Sequence, residues 1–398
     1  MNDKELETMR KSFNTVKNRS DRLKNSPNVK KLQKRVQKIK KESDYPYLIN
    51  LAIENLENNG IEVFNASDSK EACDIIYKLV KDIPNKKIAK SKSNTLGEIN
   101  FKDFIEDKGF EVIETDLGDR ILQLKETDKG PVHPTGPASH LNVNDISEII
   151  NKSKKISLKA EPEEIMEFIR DDVLSEIETS EIGISGANAL AAEEGSLVLV
   201  HNEGNISLVS SKKLHILVVG IDKIVETIED AISLVKLETV FATGKYLTSY
   251  VNIISGPSKT ADIEKKLLKN MYGAHEVIVI LLDNGRSEAI KECLYCIGCG
   301  NCLIHCPVYN AVGNEFGFKN YLGGRGVAMS KFIEDDETSF NSGLFMCTLC
   351  GLCTLNCPTS IPTNEIIENI RKSSNESGFY PKIHGTISKN IKNKGSPF

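Results

Sequence analysis

The sequence predicts a parallel α/β domain followed by a smaller helical domain built around cysteine. Three observations carry that expectation. Between Tyr45 and about Asn284, helical periodicities alternate with short apolar runs. Those runs are continuous in Val, Ile and Leu, the pattern of strands covered on both faces by helices. Nine of the ten cysteines then crowd between Cys293 and Cys357. A chain of 398 residues has room for about two or three domains.

Residues 1–44 read as a basic helical segment. Val29, Leu32, Val36 and Ile39 recur at three- and four-residue steps, which makes one apolar stripe among lysines and arginines. Residues 1–41 hold 14 Lys and Arg against 4 Asp and Glu, leaving 37 basic and 52 acidic side chains to the rest. A helix laid on the protein's own surface or a partner's explains the stripe. Nucleic acid is disfavoured as a partner, because no aromatic interleaving offers base stacking.

Residues 45–290 form the expected α/β domain. A helix should start near Ser67–Asp68, with Glu71 completing a capping box, and run through Ile75, Ile76, Leu79 and Val80. Another should open at Pro162 and place Ile165, Ile169, Val173 and Ile177 on one face. The apolar runs after Gly195, Leu214 and Glu276 are the expected parallel strands. After Arg286 the composition shifts, and residues 291–375 hold the cysteines with one clear helix over Asn364–Lys372. The closing segment is rich in Lys, Asn, Ser and Gly, so residues 376–398 read as a flexible tail.

No apolar run approaches the ~20 residues that span a bilayer, and the first thirty residues lack the apolar core of a secretory signal. Cytoplasm is therefore the expected compartment. Crowded cysteines there point to metal or cluster binding rather than a disulfide framework.

Two segments share one grammar. The first is Cys296-Ile-Gly-Cys299-Gly-Asn-Cys302-Leu-Ile-His-Cys306-Pro307, and the second Cys347-Thr-Leu-Cys350-Gly-Leu-Cys353-Thr-Leu-Asn-Cys357-Pro358. Both are the C-x2-C-x2-C-x3-C-P run that holds 4Fe-4S clusters in bacterial-type ferredoxins. A cubane needs one thiolate on each iron. Three come from a tight loop and the fourth from elsewhere, and in two-cluster ferredoxins that fourth cysteine serves the other cluster. The expectation is two clusters, one on Cys296, Cys299, Cys302 and Cys357, the other on Cys347, Cys350, Cys353 and Cys306. Structural zinc is the alternative, but zinc prefers two separated C-x2-C knuckles per ion. Cys293 adds a further step upstream, either as an extra ligand or as a buried thiol, the second being favoured. Cys73 belongs to a helix core. No G-x-G-x-x-G follows a strand and no phosphate-loop motif occurs, so nothing here marks a flavin or nicotinamide site.

The stretch Gly183-Ile-Ser-Gly-Ala-Asn-Ala-Leu-Ala-Ala-Glu-Glu-Gly-Ser-Leu-Val-Leu-Val-His-Asn-Glu-Gly-Asn205 resembles the signature of the LUD (lactate utilisation) domain. Lys90-Ser-Lys-Ser93, Glu114-Thr-Asp-Leu-Gly118, Ala242-Thr-Gly-Lys-Tyr-Leu-Thr-Ser-Tyr250, Ser255-Gly-Pro257 and Leu282-Asp-Asn-Gly-Arg286 follow in the family's order. With both cysteine runs included, nearly the whole chain is similar to the lactate-utilisation protein B family. The resemblance implies a NagB/RpiA/CoA-transferase-like fold for the α/β domain, followed by an α-helical ferredoxin domain. It also implies a part in passing electrons from L-lactate oxidation, alongside other subunits of that complex. The chain is short for the family, and Cys293 is additional to its runs.

Candidate ligand-binding residues follow from the motif positions. Gly183, Gly186, Gly195 and Gly204 suit turns at strand ends, where open α/β sheets place ligands, and Asn188 lies in the same stretch. Glu193 and Glu194 precede a strand and offer an acid, base or ligand, or simply a solvated turn. Lys90 and Lys92 can meet a carboxylate or phosphate, or form a plain charged loop. His133 and His140 bracket a Pro/Gly-rich loop that can touch substrate or partner. His215 opens an apolar strand and reads as a core histidine.

The leading expectation is an iron–sulfur electron-transfer subunit of a cytoplasmic lactate-oxidising complex, a non-autonomous oxidoreductase component. One rival keeps the relay within a heterodisulfide-reductase-like, glycolate or glycerol-3-phosphate dehydrogenase assembly. Another class of reading is a LUD enzyme on a CoA or phosphate ester with structural clusters.

Overall fold

The computed structural model describes residues 1–125 and 130–398. In chain order the strands of its larger domain are β1 (Glu62–Ala66), β2 (Lys87–Lys90), β3 (Glu111–Glu114), β4 (Ile182–Ser185), β5 (Ala189–Ala191), β6 (Ser196–His201), β7 (Leu214–Gly220), β8 (Ile224–Val225), β9 (Tyr250–Ile254), β10 (Lys259–Thr260), β11 (Leu268–Lys269) and β12 (Glu276–Leu282). The main sheet runs β1-β12-β7-β4-β2-β3, and every pair in it is parallel. A second sheet runs β8-β5-β6-β9.

The two long apolar runs, β7 and β12, lie side by side near the centre, with Leu217 against Val279 and Val218 against Ile280. Their alternate side chains feed two cores. On one face Ile216, Val218 and Ile280 meet Ala72, Cys73, Ile76 and Val80 from the helix Ser69–Val80. On the other, Leu217 and Val279 meet Leu48, Ala52 and Leu56 from the helix Tyr45–Asn58. This is why β7 is buried at all seven positions. The helix Pro162–Glu178 buries Ile165, Ile169, Val173 and Ile177 as its period requires. The third apolar run differs from expectation. β6 pairs antiparallel with β5 and β9 in the second sheet, because Glu193–Gly195 turn the chain straight back. Its burial at every position but half-buried Val200 comes from being sandwiched between the main sheet's helix layer and the helix Ile228–Thr243.

The capping signal at Asp68 also resolves differently. Asp68 accepts from the Glu71 amide, but the Glu71 carboxylate reaches back to Ser67 rather than Asp68.

His215 sits on β7 with no exposed surface, its Nε2 2.7 Å from the Ser185 hydroxyl. Burial pulls its pKa from 6.5 down to about 3. A depressed folded pKa means that the stability it carries is complete above 6.5 and is lost as pH falls through that window towards 3. In thermal unfolding, His215→Gln should therefore lose part of its disadvantage against the wild type between pH 7 and pH 4. A gap that stays constant with pH would contradict a buried neutral imidazole.

The basic N-terminal segment is two helices, Asp3–Lys24 and Pro27–Glu42. The break falls at Ser26, whose side chain accepts from the Val29 amide while Pro27 fills the first turn. Leu6, Met9 and Phe13 of the first helix enter the core of the cysteine domain. Val29 and Val36 of the second pack with Leu234 and Val235 of the larger domain. The segment is thus a strap across the two domains, its stripe used on the protein's own surface.

Besides Thr363–Glu376, the cysteine domain contains helices at Asn301–His305, Pro307–Val312, Gly323–Ile333, Asp336–Asn341 and Leu352–Leu355. Most are too short for a periodic signal, and Gly323–Ile333 was obscured by three glycines. Lys382–Lys394 is a helix, although it buries no residue and touches the domain through His384 on Phe345.

Among the described residues, no helix is long and apolar enough to cross a membrane.

Candidate cluster sites and the adjoining crevice

The two cysteine runs fold alike. Gly298 and Leu349 occupy the same place in each run, and both have positive φ, 79° and 55°. Gly300 and Gly351 correspond as well, at 71° and 73°, each opening a short helix. The left-handed turns curl each loop tightly between its cysteines, and in the second run Cys347, Cys350 and Cys353 line one small cavity. Glycine takes that conformation freely, whereas Leu349 takes it at a cost of about 1–2 kcal/mol.

The thiols sort by space rather than by run. Burial pushes Cys299 well above the ordinary thiol range, and Cys357 and Cys296 add to the rise. Cys302 is raised by burial and then by Cys299, Cys296 and Cys357. Cys306 is raised by burial, Cys353 and Cys347 add to the rise, and all three line one small cavity. Each fourth cysteine therefore lies with the other run's loop, and Cys302 and Cys353 bring the two sets together. Among the described residues, no three His, Cys, Asp or Glu donors gather tightly enough for one metal ion. A single zinc needs sulfurs about 2.3 Å from one point, whereas a cubane spreads its four thiolates over separate irons. Two repeated runs of four cysteines supply the eight thiolates that two cubanes need. Backbone amides also reach the sulfurs, from Tyr309 to Cys306 and from Leu349 to Cys347, each at 3.4 Å. Such bonds and solvent exposure set cluster potentials.

The two sets differ in setting. Cys299 is buried against the larger domain, in a core with Ile297, Val235 and Val240. Cys350 is exposed, as are its chain neighbours Met346, Leu352 and Leu355. Cys293 is fully buried, and burial pushes its thiol to about 11. Its carbonyl takes two N–H bonds from Arg325, at 3.2 and 3.0 Å. Cys73 is likewise a core thiol, 3.4 Å from the Ile99 carbonyl.

Beside the first run lies a crevice of about 470 Å³ at the carboxyl ends of β2, β3 and β4. Lys92, Gly186 and Asn188 line it. Lys92 pairs with Asp116 at 2.8 Å. Asn188 accepts from the Val200 amide and donates to Glu238 at 3.0 Å. At Gly186 a β-carbon would come within 2.6 Å of the Ser93 hydroxyl, so close packing rather than a turn requires glycine there.

The other candidates stand elsewhere. Lys90 is buried beneath the crevice on Glu114, at 2.8 Å. His133 is held behind it, edge-on to Phe13 and against Gly300 of the first run, with burial lowering its pKa to about 4. His140 is buried and lies outside the crevice lining. Glu193 and Glu194 are solvated turn residues, and Glu194 accepts from the Ile228 amide at the start of a helix. Lys223 and Glu238, which stand in none of the motifs, line the crevice together with Ile297 and Gly298. Lys223 donates to the Cys296 carbonyl at 3.3 Å. Burial raises the Glu238 carboxyl above its ordinary value.

One further cluster joins the domains. Arg286 donates to Asp222 at 2.6 Å, to both oxygens of Glu98 at 2.9 and 2.8 Å, and to the Tyr321 hydroxyl at 2.9 Å. The Leu282-Asp-Asn-Gly-Arg286 motif thus ends in a buried tie between the sheet and the cysteine domain.

Comparison with known proteins places both halves. Residues 49–282 match the LUD domain, and residues 292–361 match the 4Fe-4S dicluster domain. Iron–sulfur clusters are accordingly the cofactors of the cysteine domain. Lactate utilization protein B of Macrococcus caseolyticus is 35% identical over 331 residues, spanning 82% of this chain and 67% of that one. The protein of that name from Anoxybacillus flavithermus is 36% identical over 335 residues, 83% of this chain and 68% of its own. A solved duf162 family protein from Deinococcus radiodurans overlaps with a TM-score of 0.33 at 11% identity, covering 60% of this chain and 99% of that one. With its α/β half and its dicluster half both matched, the chain belongs to the lactate utilization protein B family.

Proposed function

We propose that this chain is the electron-transfer subunit of a cytoplasmic L-lactate oxidation complex. One cluster would sit on Cys296, Cys299, Cys302 and Cys357, and the other on Cys347, Cys350, Cys353 and Cys306. When bound, each cluster supplies a one-electron carrier. What supports the reading most is the placement of the two thiol sets, one against the crevice and the other at the surface. The chain's own residues shape the ends of that route. Gly298 leaves the first loop bare towards the crevice, and Lys223 holds the Cys296 carbonyl. Exposed Met346, Leu352 and Leu355 lie within five positions of Cys350 in the chain and offer an apolar contact for a redox partner. Readings with glycolate, glycerol-3-phosphate or a heterodisulfide as the other substrate keep the same route and differ only in the donor or acceptor.

The test is growth. A strain lacking this chain should fail on L-lactate as sole carbon source, recover with the wild-type chain, and not recover with Cys350→Ala. Undiminished growth of the deletion strain on L-lactate would remove the lactate assignment.

A further inference from the structure

We infer that the crevice is a binding site for a 2-hydroxycarboxylate, with Lys223 taking the carboxylate and Glu238 the hydroxyl. The inference rests on the lactate reading above and assigns its substrate a place on this chain.

Lys223 has the right unmet capacity. Its ammonium has three N–H donors. One goes to the Cys296 carbonyl at 3.3 Å, and the nearest carboxylate, Asp222, is 3.6 Å away. That carboxylate is already held by Arg286 at 2.6 Å, so it compensates Lys223 only in part. The other crevice ammonium, Lys92, is neutralised directly by Asp116. An incoming carboxylate therefore finds its strongest partner at Lys223.

Glu238 stands at the same end. Asn188 donates to it at 3.0 Å and orients it. A β-carbon built on Gly298 would lie 3.7 Å from its Oε1, so the carboxyl faces the bare loop. A hydroxyl on the carbon next to a carboxylate can donate to Glu238 while Lys223 keeps the carboxylate. Ile297 and Ala242 add apolar wall, and the remaining volume of the ~470 Å³ crevice admits a side group larger than methyl. Volumes of about 300–1,000 Å³ are usual for organic ligands.

Calorimetric titration of the anaerobically purified holoprotein tests this with L-lactate and with pyruvate as probes. Both acids should bind. Lys223→Met should weaken both by roughly ten- to a hundredfold, the scale of a lost charge-assisted hydrogen bond. The isosteric Glu238→Gln should weaken L-lactate by about fivefold or more, and leave pyruvate, which has no hydroxyl to donate, within about twofold. Iron content and cluster absorbance verify that each variant is folded and loaded. No binding of either acid to the wild type, or equal affinities in wild type and both variants, would overturn the assignment. Its failure is separable from that of the lactate reading. Absent binding with lactate-dependent growth intact removes only this site, while binding without any growth dependence removes only the complex.

Discussion

Replacing Cys306 by alanine should cost the chain the cluster of the second run and spare that of the first. The expectation follows from where the sulfur lies. Cys306 belongs to the first run, yet it lines one small cavity with Cys347, Cys350 and Cys353. A loop that keeps only Cys347, Cys350 and Cys353 has three thiolates for four irons, so its cluster should be lost or left with three. Iron per chain should fall by about half if the cluster is lost. The informative comparison is between variants. The electron paramagnetic resonance spectrum remaining in Cys306→Ala should match that of Cys347→Ala and differ from that of Cys302→Ala. If it matches Cys302→Ala instead, each run holds its own cluster and the interleaved assignment is wrong.

Replacing Arg286 by leucine should destabilise the larger domain by about 3–5 kcal/mol, the range for removing one partner of a buried charge network. Three features put it there. Glu98 has no exposed surface and Asp222 is 2% exposed, so neither carboxylate gains water when the guanidinium goes. Asp222 is held well below the usual carboxylate range, with Arg286 the first of the cations that outweigh its burial. Glu98 would retain Asn284 and Tyr321 as donors, which replace hydrogen bonds but not charge. Because Tyr321 comes from the cysteine domain, the variant should also loosen the junction and raise proteolysis near residues 283–295. Urea unfolding followed by circular dichroism checks the size of the loss, and a change below about 1 kcal/mol would contradict a buried tie. Arg286→Lys should recover little, since an ammonium cannot serve Asp222 and both oxygens of Glu98 at once.

The parts of this molecule that were legible in the sequence are those set by local rules. Strands β7 and β12 announced themselves because both faces are covered, so all but His215 and the opening Glu276 are apolar or glycine. The helix at Pro162 showed its period because one face alone is buried. The cysteine runs were legible because cubane ligation demands a fixed spacing. What escaped was decided by distant residues. β6 is as apolar as β7, but the turn at Glu193–Gly195 sends it into another sheet, and periodicity carries no pairing information. Glu193 and Glu194 resembled crevice residues by their place before a strand, yet that same turn carries them to solvent. Lys223 and Glu238 stood in no motif. Their importance comes from the cysteine loop folding against them from more than fifty positions away in the chain. Arg286 lay within a recognised motif, but its partners Glu98, Asp222 and Tyr321 come from three separate segments.

The most direct test of a lactate-fed relay is rapid-freeze electron paramagnetic resonance on the complex purified with this chain under anaerobic conditions. On mixing with L-lactate, the signals of both reduced clusters should grow in, and Cys306→Ala should show only one of them. Signals that stay silent with L-lactate, yet appear in full with dithionite, would contradict it.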